Sequence, residues 1–298
     1  MTFLSLNTVT CKHVLEDKNM ATSKYVTTIG MVIIAVVAFA VGLFAAPIIN
    51  PPSTTTTDAV WDDIVKTGVI RVGTDPSWPP YESINSTTSK IVGFEVDLMD
   101  AIAAKLNKTV DWRSVGFDTI ITSVQSKQLD LGVSGFSVTT ARLEVVQFTM
   151  PHSVTRGQVI MLQSKRDSLN VTMLTSLANL KTLNLRVGTQ TGTTEQDELQ
   201  SAGIQYNAFT DYGLAIMDMA STNPTVDCVY AETPITTSWI AQYQAQGKSI
   251  VVVYDTPYYP CAFVANKDAH TFVAKINGAL SDIIAAGQLD ALRERWHA

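Results

Sequence analysis

The stretch from residue 69 to residue 142 constrains the fold more than any other part of the chain. Residues 69–73 are a short apolar run broken by Asp75-Pro76, which predicts a buried strand. Phe94, Leu98, Ile102 and Leu106 then recur every four residues, with Met99 and Ala103 beside them, the spacing of an amphipathic helix. Glu95, Asp97 and Asp100 lie in its first turns, where the helix dipole favours acids, and that account suffices for them. A second strand is expected at 110–113. A second helix follows at 119–127, capped by Asp118, with Ile120, Ile121 and Val124 turned inward. A third strand is expected at 129–133. Strand, helix, strand, helix, strand implies a parallel sheet with helices on its faces, and ligands of such sheets bind beyond the carboxyl ends of the strands.

The alternation returns later without any repetition of sequence. Strands are expected at 158–163, 185–188, 206–209, 226–230 and 250–254, with helices from Glu195 and over 212–221 and 234–245. The methionines of the 212–221 segment are expected in the core. Phe272, Ile276, Leu280, Ile283 and Ile284 mark a C-terminal amphipathic helix, interrupted at Gly287 and continued by Leu289, Leu292 and Trp296. The chain therefore reads as α/β, with two sheets flanked by helices.

Composition narrows the function. Twenty-one basic residues against 27 acidic ones leave a formal charge of −6, which is no footprint for nucleic acid. Cys11, Cys228, Cys261 and the four histidines (His13, His152, His270, His297) have no metal-ligand spacing, so no zinc site and no cofactor is expected. Cys228 and Cys261 are either two buried thiols or, in an oxidising compartment, a pair.

Residues 29–46 carry no charge and are long enough to span a bilayer. Lys12, Lys18 and Lys24 precede them and Asp58, Asp62 and Asp63 follow, which puts residues 1–28 in the cytoplasm and the remainder outside. Ala38-Phe39-Ala40 resembles a signal cleavage site, but the apolar run continues past it, so 29–49 reads as an uncleaved anchor ahead of a cleaved signal. Residues 50–58 read as a Pro/Ser/Thr stalk. The triplets at Asn85, Asn107 and Asn170 fit the glycosylation pattern and agree with an extracellular location. No second span follows, which argues against a receptor kinase or a channel.

Several residues stand where a site would form. Pro79-Pro80 fixes an extended loop presenting Trp78 and Tyr81 just past a strand end. Ser134-Gly135-Phe136-Ser137 follows the third strand, and Thr139 is a good N-cap, making Arg142 the third residue of a helix. A cation there opposes the dipole at a cost of about 0.3–1 kcal/mol. Two partners would relieve it: an anion such as a carboxylate, or Glu144 or another acid of the chain. Residues 189–194 are a small-residue turn before a helix, an anion cradle without the lysine of a nucleotide loop.

Together these motifs resemble the family 3 extracellular solute-binding proteins, the polar amino acid receptors of ABC importers. The resemblance runs from about Trp61 to Trp296. It is carried by Gly73-Thr74-Asp75 with Trp78 and Pro80, Gly93-Phe94-Glu95-Val96-Asp97-Leu98, Phe117-Asp118, and Ser134-Gly135-Phe136-Ser137-Val138-Thr139 with Arg142. Further on come Val187-Gly188, Gly192-Thr193-Thr194, Val226-Asp227-Cys228-Val229, Thr233-Pro234 and the C-terminal helix. The resemblance implies a two-lobed periplasmic-binding-protein-like fold of type II. Lobe 1 would comprise 59–151 and 259–298, lobe 2 would comprise 152–258, and hinge crossings would lie near 148–157 and 258–260.

It also implies roles. Arg142 would clamp the ligand α-carboxylate, helped by Ser137, by backbone amides near Ser134 and Gly135, and by Thr193 of lobe 2. Trp78 and Phe117 would sandwich the ligand body, Asp75 would meet its side chain, and Glu232 would pair with the α-amino group. Four residues depart from the family pattern: Glu232 replaces an aspartate, Trp78 a tyrosine or phenylalanine, and His152-Ser153 a tyrosine pair. His152 is expected on the hinge surface. The implied protein is a monomer that captures a polar or cationic amino acid by hinge closure and docks on a permease, tethered to the membrane by its N-terminal helix. The alternatives are a cyclohexadienyl dehydratase-like enzyme using Asp75, Glu82 or Glu232, and a ligand sensor.

Overall fold

The computed structural model of the protein describes residues 58–298. The expected anchor, the stalk up to residue 57 and Cys11 lie outside the described residues. Among the described residues no helix is long and apolar enough to cross a membrane. Asp58, the last residue of the expected stalk, belongs to the folded unit. Its carboxylate accepts from the Trp61 amide at 3.0 Å, capping the helix Ala59–Thr67, and from the Phe272 amide at 2.9 Å.

The chain runs through β1 (Val69–Thr74) into three short strands, β2 (Ser77–Trp78), β3 (Glu82–Ile84) and β4 (Ile91–Val92). The helix Phe94–Lys105 leads to β5 (Thr109–Ser114), the helix Phe117–Gln125 to β6 (Leu131–Gly132), and the helix Thr140–Val145 to β7 (Val146–Phe148). β8 (Ser153–Thr155) passes directly into β9 (Gly157–Leu162). Then come β10 (Val187–Gln190), the helix Thr194–Ser201, β11 (Tyr206–Phe209) and the helix Tyr212–Met219. β12 (Cys228–Glu232), the helix Thr233–Ala245 and β13 (Ile250–Asp255) complete this half. β14 (Tyr259–Cys261) and β15 (Val264–Asn266) precede the helices His270–Ala285 and Gln288–Trp296.

These strands make two five-stranded sheets, ordered β5-β1-β6-β15-β7 and β11-β10-β12-β9-β13. The strands that close βαβ units are parallel, as the alternation requires: β1 with β5 and β6, and β10 with β11 and β12. β9 and β15 run antiparallel to their neighbours. Each follows at once on a strand of the two-stranded β8–β14 ribbon that joins the sheets, so its direction is set by the ribbon and not by a helical crossover. β15 comes from the C-terminal part of the chain yet sits between β6 and β7, so the first lobe is assembled from two separate stretches.

Packing follows the periodic positions. Phe94, Leu98 and Ile102 are fully buried, and each such side chain contributes about 1.5–3 kcal/mol relative to exposure. Cys228 and Cys261 are both buried free thiols. Three local expectations fail. Of the methionines expected in the core, Met219 is buried but Met217 is exposed. The second helix begins at Phe117 after an extended Gly116, so Asp118 lies inside the first turn and does not cap it. The third strand keeps only Leu131–Gly132, because Asp130 turns to Arg71, accepting from its amide at 2.8 Å and its guanidinium at 2.5 Å.

Candidate functional site

The site forms where β1, β6, β10 and β12 end. On the first lobe, Asp75 follows β1. Its amide donates to the Ser134 hydroxyl at 3.2 Å, and its carboxylate accepts from Gln190 Nε2 of the second lobe at 2.8 Å. Burial raises the Asp75 carboxyl above its ordinary range, and hydrogen bonds from Ser77 and Gln190 pull it back only in part.

Trp78 is only 6% exposed. Its ring lies flat against Gly135, where a Cβ would fall 1.9 Å from Trp78 Cζ3, and Gly135 has φ +57°. Only glycine combines that backbone with that contact. Tyr81, expected beside Trp78 in the loop, lies beneath it in the core, with ring centroids 4.8 Å apart and its other side on Phe94. The reason is area: an aromatic ring next to the Phe94 helix gains more from burial than from the cleft.

Thr139 caps its helix by accepting from the Arg142 amide at 3.2 Å, so Arg142 does occupy the dipole-opposed position. Its guanidinium lies 5.6 Å from the Phe117 ring centroid and 5.4 Å from that of Phe136, two rings stacked at 4.8 Å. Nη1 donates to the Ser137 carbonyl at 3.0 Å and Nη2 to the Gly192 carbonyl of the second lobe at 3.2 Å. Among the described residues no carboxylate pairs with it, Glu144 included. Phe117 therefore packs against the Arg142 guanidinium.

On the second lobe, Thr193 caps the helix Thr194–Ser201, accepting from the Gln196 amide at 3.3 Å and donating to the Gln190 carbonyl at 2.7 Å. Glu232 ends β12 at the N-cap position of the next helix but does not cap it. Instead Ser137 Oγ donates to Glu232 Oε1 at 2.7 Å across the lobes. Burial, then the Glu195 charge, hold the Glu232 carboxyl well above its usual range. Gly192, at φ +81°, sits so close to the first lobe that a Cβ would fall 2.9 Å from Asp118 Cα. Four hydrogen bonds cross between the lobes here, Gln190 to Asp75, Ser137 to Glu232, Arg142 to Gly192 and Tyr259 to Glu195, so the arrangement is closed.

Between the lobes lies a narrow cleft. Asp75, Trp78, Phe117, Ser134, Gly135, Arg142, Thr193 and Glu232 all line it. Ser137 touches Arg142 and Glu232 from behind. Ser77, Gln190, Thr194, Glu195 and Tyr212 also line the cleft and were not singled out from the sequence as ligand contacts. One expected donor is already engaged: the Gly135 amide gives its hydrogen to Glu95 Oε2 at 3.0 Å, so it does not face the cleft as a carboxylate donor.

The family model for bacterial extracellular solute-binding proteins, family 3, matches residues 70–298. The chain belongs to this family. It is 27% identical over 231 residues to ABC transporter arginine-binding protein 1 of Escherichia coli K12, covering 76% of this chain and 90% of that protein. The arginine-binding periplasmic protein of Mannheimia haemolytica is 26% identical over 226 residues, 74% of this chain and 88% of the relative. Among solved structures, an ancestral arginine-binding protein bound to arginine aligns with a TM-score of 0.69 at 27% identity, over 78% of this chain and 99% of that one.

Under the cleft this solute-binding protein carries a charged cluster that dipole reasoning missed. Glu95 is fully buried, not an exposed first-turn acid, and His152 is 2% exposed, not on the hinge surface. His152 Nε2 and Glu95 Oε1 are 2.6 Å apart, and Arg293 Nη2 donates to the His152 carbonyl at 2.6 Å. Burial acts to raise the Glu95 carboxyl, but the imidazole charge and hydrogen bond, Glu82 and the Gly135 amide together bring it below its ordinary value. Glu82, also buried, accepts no hydrogen bond from an N–H or hydroxyl donor among the described residues, and its carboxyl meets that of Glu95. Burial and the Glu95 charge hold its carboxyl far above the usual range. The missed signal was spacing: Glu95, Leu98, Met99 and Ile102 stand at i, i+3, i+4 and i+7, which aligns the acid with the apolar stripe.

The Gly135 turn joins the cluster to the cleft, through the Glu95 bond on one side and the Trp78 ring on the other. Gly135→Ala should therefore displace Trp78 and cost about 1–3 kcal/mol of stability, with weaker ligand binding. Urea denaturation checks it, and a change within about 0.5 kcal/mol would remove the close-contact argument.

Proposed function

We propose that this family 3 protein captures an amino acid with a cationic side chain outside the cytoplasm and delivers it to the permease of an ABC importer. The observation that carries this reading is the charge of the cleft. Three carboxylates, Asp75, Glu195 and Glu232, line it against one guanidinium, Arg142. An acidic amino acid would add a charge of the sign already in excess, whereas a ligand with two cationic groups and one carboxylate offsets it. Arg142, between Phe117 and Phe136, takes the α-carboxylate with help from Thr193 and Ser137. Glu232 takes the α-ammonium, Trp78 covers the ligand body, and Asp75, aligned by Ser134 and Gln190, takes the side-chain cation. The named relatives, both arginine-binding by name, support the same class.

Residues 59–151 with 259–298 move as one lobe and 152–258 as the other, about the β8–β14 ribbon. Ligand reaches Arg142 and Asp75 first, and closure adds Thr193 and Glu232. The closed form is favoured by those added contacts alone. The protein works as a monomeric binder and not as a catalyst, and residues 29–46 tether it to the membrane with the lobes outside.

Calorimetric titration with arginine, lysine, histidine, glutamine and glutamate tests the ligand class. Arginine or lysine should bind most tightly, and glutamate at least about 100-fold more weakly, the equivalent of 2.7 kcal/mol of discrimination. Glutamate binding as tightly as arginine would overturn the charge argument.

A further inference from the structure

Glu195 has a place in the cleft that its helical position does not explain. It lies in the first turn of the helix Thr194–Ser201 and faces the same space as Glu232. Topology makes the two acids neighbours. β10 and β12 are adjacent parallel strands with Val187 opposite Cys228; Glu232 ends β12, and the Glu195 helix follows β10. Both acids are buried.

Their hydrogen-bond donors are unequal. The Tyr259 hydroxyl donates to Glu195 Oε1 at 2.8 Å, and those of Tyr212 and Thr194 donate to Oε2 at 2.8 Å and 3.0 Å. Glu232 receives one donor, Ser137. The charged and titratable groups facing Glu232 are Glu195 from the second lobe, Glu95 and Arg142 from the first, Tyr212 beside Glu195, and Tyr259 and Cys261 on β14. Arg142 is the one cation among these groups, and it already serves two carbonyls.

Two buried carboxyl groups that share a site do not both ionise readily. We propose that Glu195 and Glu232 hold one proton between them while the cleft is empty, and that the ammonium group of an incoming ligand displaces it, so that capture releases a proton. The proton resides on Glu232, which has one donor where Glu195 has three, and burial raises that carboxyl first of all. The exchange balances: a neutral acid and an ammonium ion become a carboxylate–ammonium pair, and one proton passes to solvent. The sign follows from linkage. The proton affinity of Glu232 is high in the free site and lowered by the bound ammonium, so ligand affinity rises with pH between those two values and is level outside them. The slope reaches at most about tenfold per pH unit for one proton.

This rests on the amino acid reading of the cleft, and the experiment separates the two. Arginine is titrated calorimetrically into the protein at one near-neutral pH in two buffers of different ionisation enthalpy, and the Kd is followed across pH. The expected result for the wild type is a buffer-dependent enthalpy that reports proton release, with a Kd that falls as pH rises. Glu195→Gln removes a cleft carboxylate and should bind arginine more weakly; with the neighbouring charge gone but the burial of Glu232 kept, it should release fewer protons than the wild type and show its pH slope at lower pH. Equal wild-type enthalpies in both buffers with a level Kd overturn the proposal. So does a Glu195→Gln protein that releases as many protons as the wild type, which would assign the proton to another group such as the Glu82–Glu95–His152 cluster. If no amino acid binds at any pH, the reading of the cleft fails and the proposal with it.

Discussion

Arg142→Ala should lose amino acid binding while the protein stays folded. Arg142 is a largely buried cation at the third position of a helix, without a carboxylate partner among the described residues, held by two carbonyls and flanked by two rings. That placement costs free energy until a carboxylate arrives, so much of the ligand's binding energy is spent at this group. Losing one partner of a buried charge pair costs about 3–5 kcal/mol, which corresponds to a Kd weaker by two to nearly four orders of magnitude. Stability without ligand should change far less, because the variant also removes a cation from a helix first turn. Calorimetry with arginine measures the first effect and urea denaturation the second. Affinity within about threefold of the wild type would remove the carboxylate assignment.

Glu95→Ala should be the most damaging single substitution for the fold. Glu95 is the acceptor for two buried donors from different parts of the chain, the His152 imidazole and the Gly135 amide. Removing it leaves both donors buried without that acceptor, a loss of about 3–5 kcal/mol by analogy with other broken buried pairs. The variant should also bind ligand more weakly, since the Gly135 turn supports Trp78. The pH dependence has a definite sign. The Glu95 carboxyl is below its ordinary value in the folded protein, so its stabilisation is complete above the unfolded value of about 4.3 and fades as pH falls through the lower folded value. The gap between wild type and variant should therefore narrow in acid. A loss under about 1 kcal/mol at neutral pH would show that the cluster is dispensable.

Much of the first lobe was legible because its signals are local. Phe94, Leu98 and Ile102 report a buried helix face through spacing alone, and Thr139 with Arg142 defines a helix start that is present in the structure. Trp78 and Arg142 could be singled out because each stands next to a break or a cap, and strand ends of an α/β sheet converge on one edge; Asp75, Thr193 and Glu232 were singled out through the family resemblance. Glu195 and Tyr212 escaped notice because nothing local separates a cleft-facing residue from a solvent-facing one on the same turn. His152 and Glu95 are 57 positions apart, and no local pattern ties an imidazole in an aperiodic segment to a carboxylate inside a helix.

By itself the sequence determined the α/β alternation, the places where strands give way to helices, and the family pattern that those breaks carry. Backbone propensity and side-chain spacing act within a few residues, and both can be read along the chain. Only the tertiary structure decided which carboxylates share the cleft, that Ser137 bonds Glu232, and that the Gly135 amide belongs to Glu95 and is withheld from the cleft. Those outcomes depend on burial and on distances between segments far apart in the chain, and a buried charge takes its protonation state from what surrounds it.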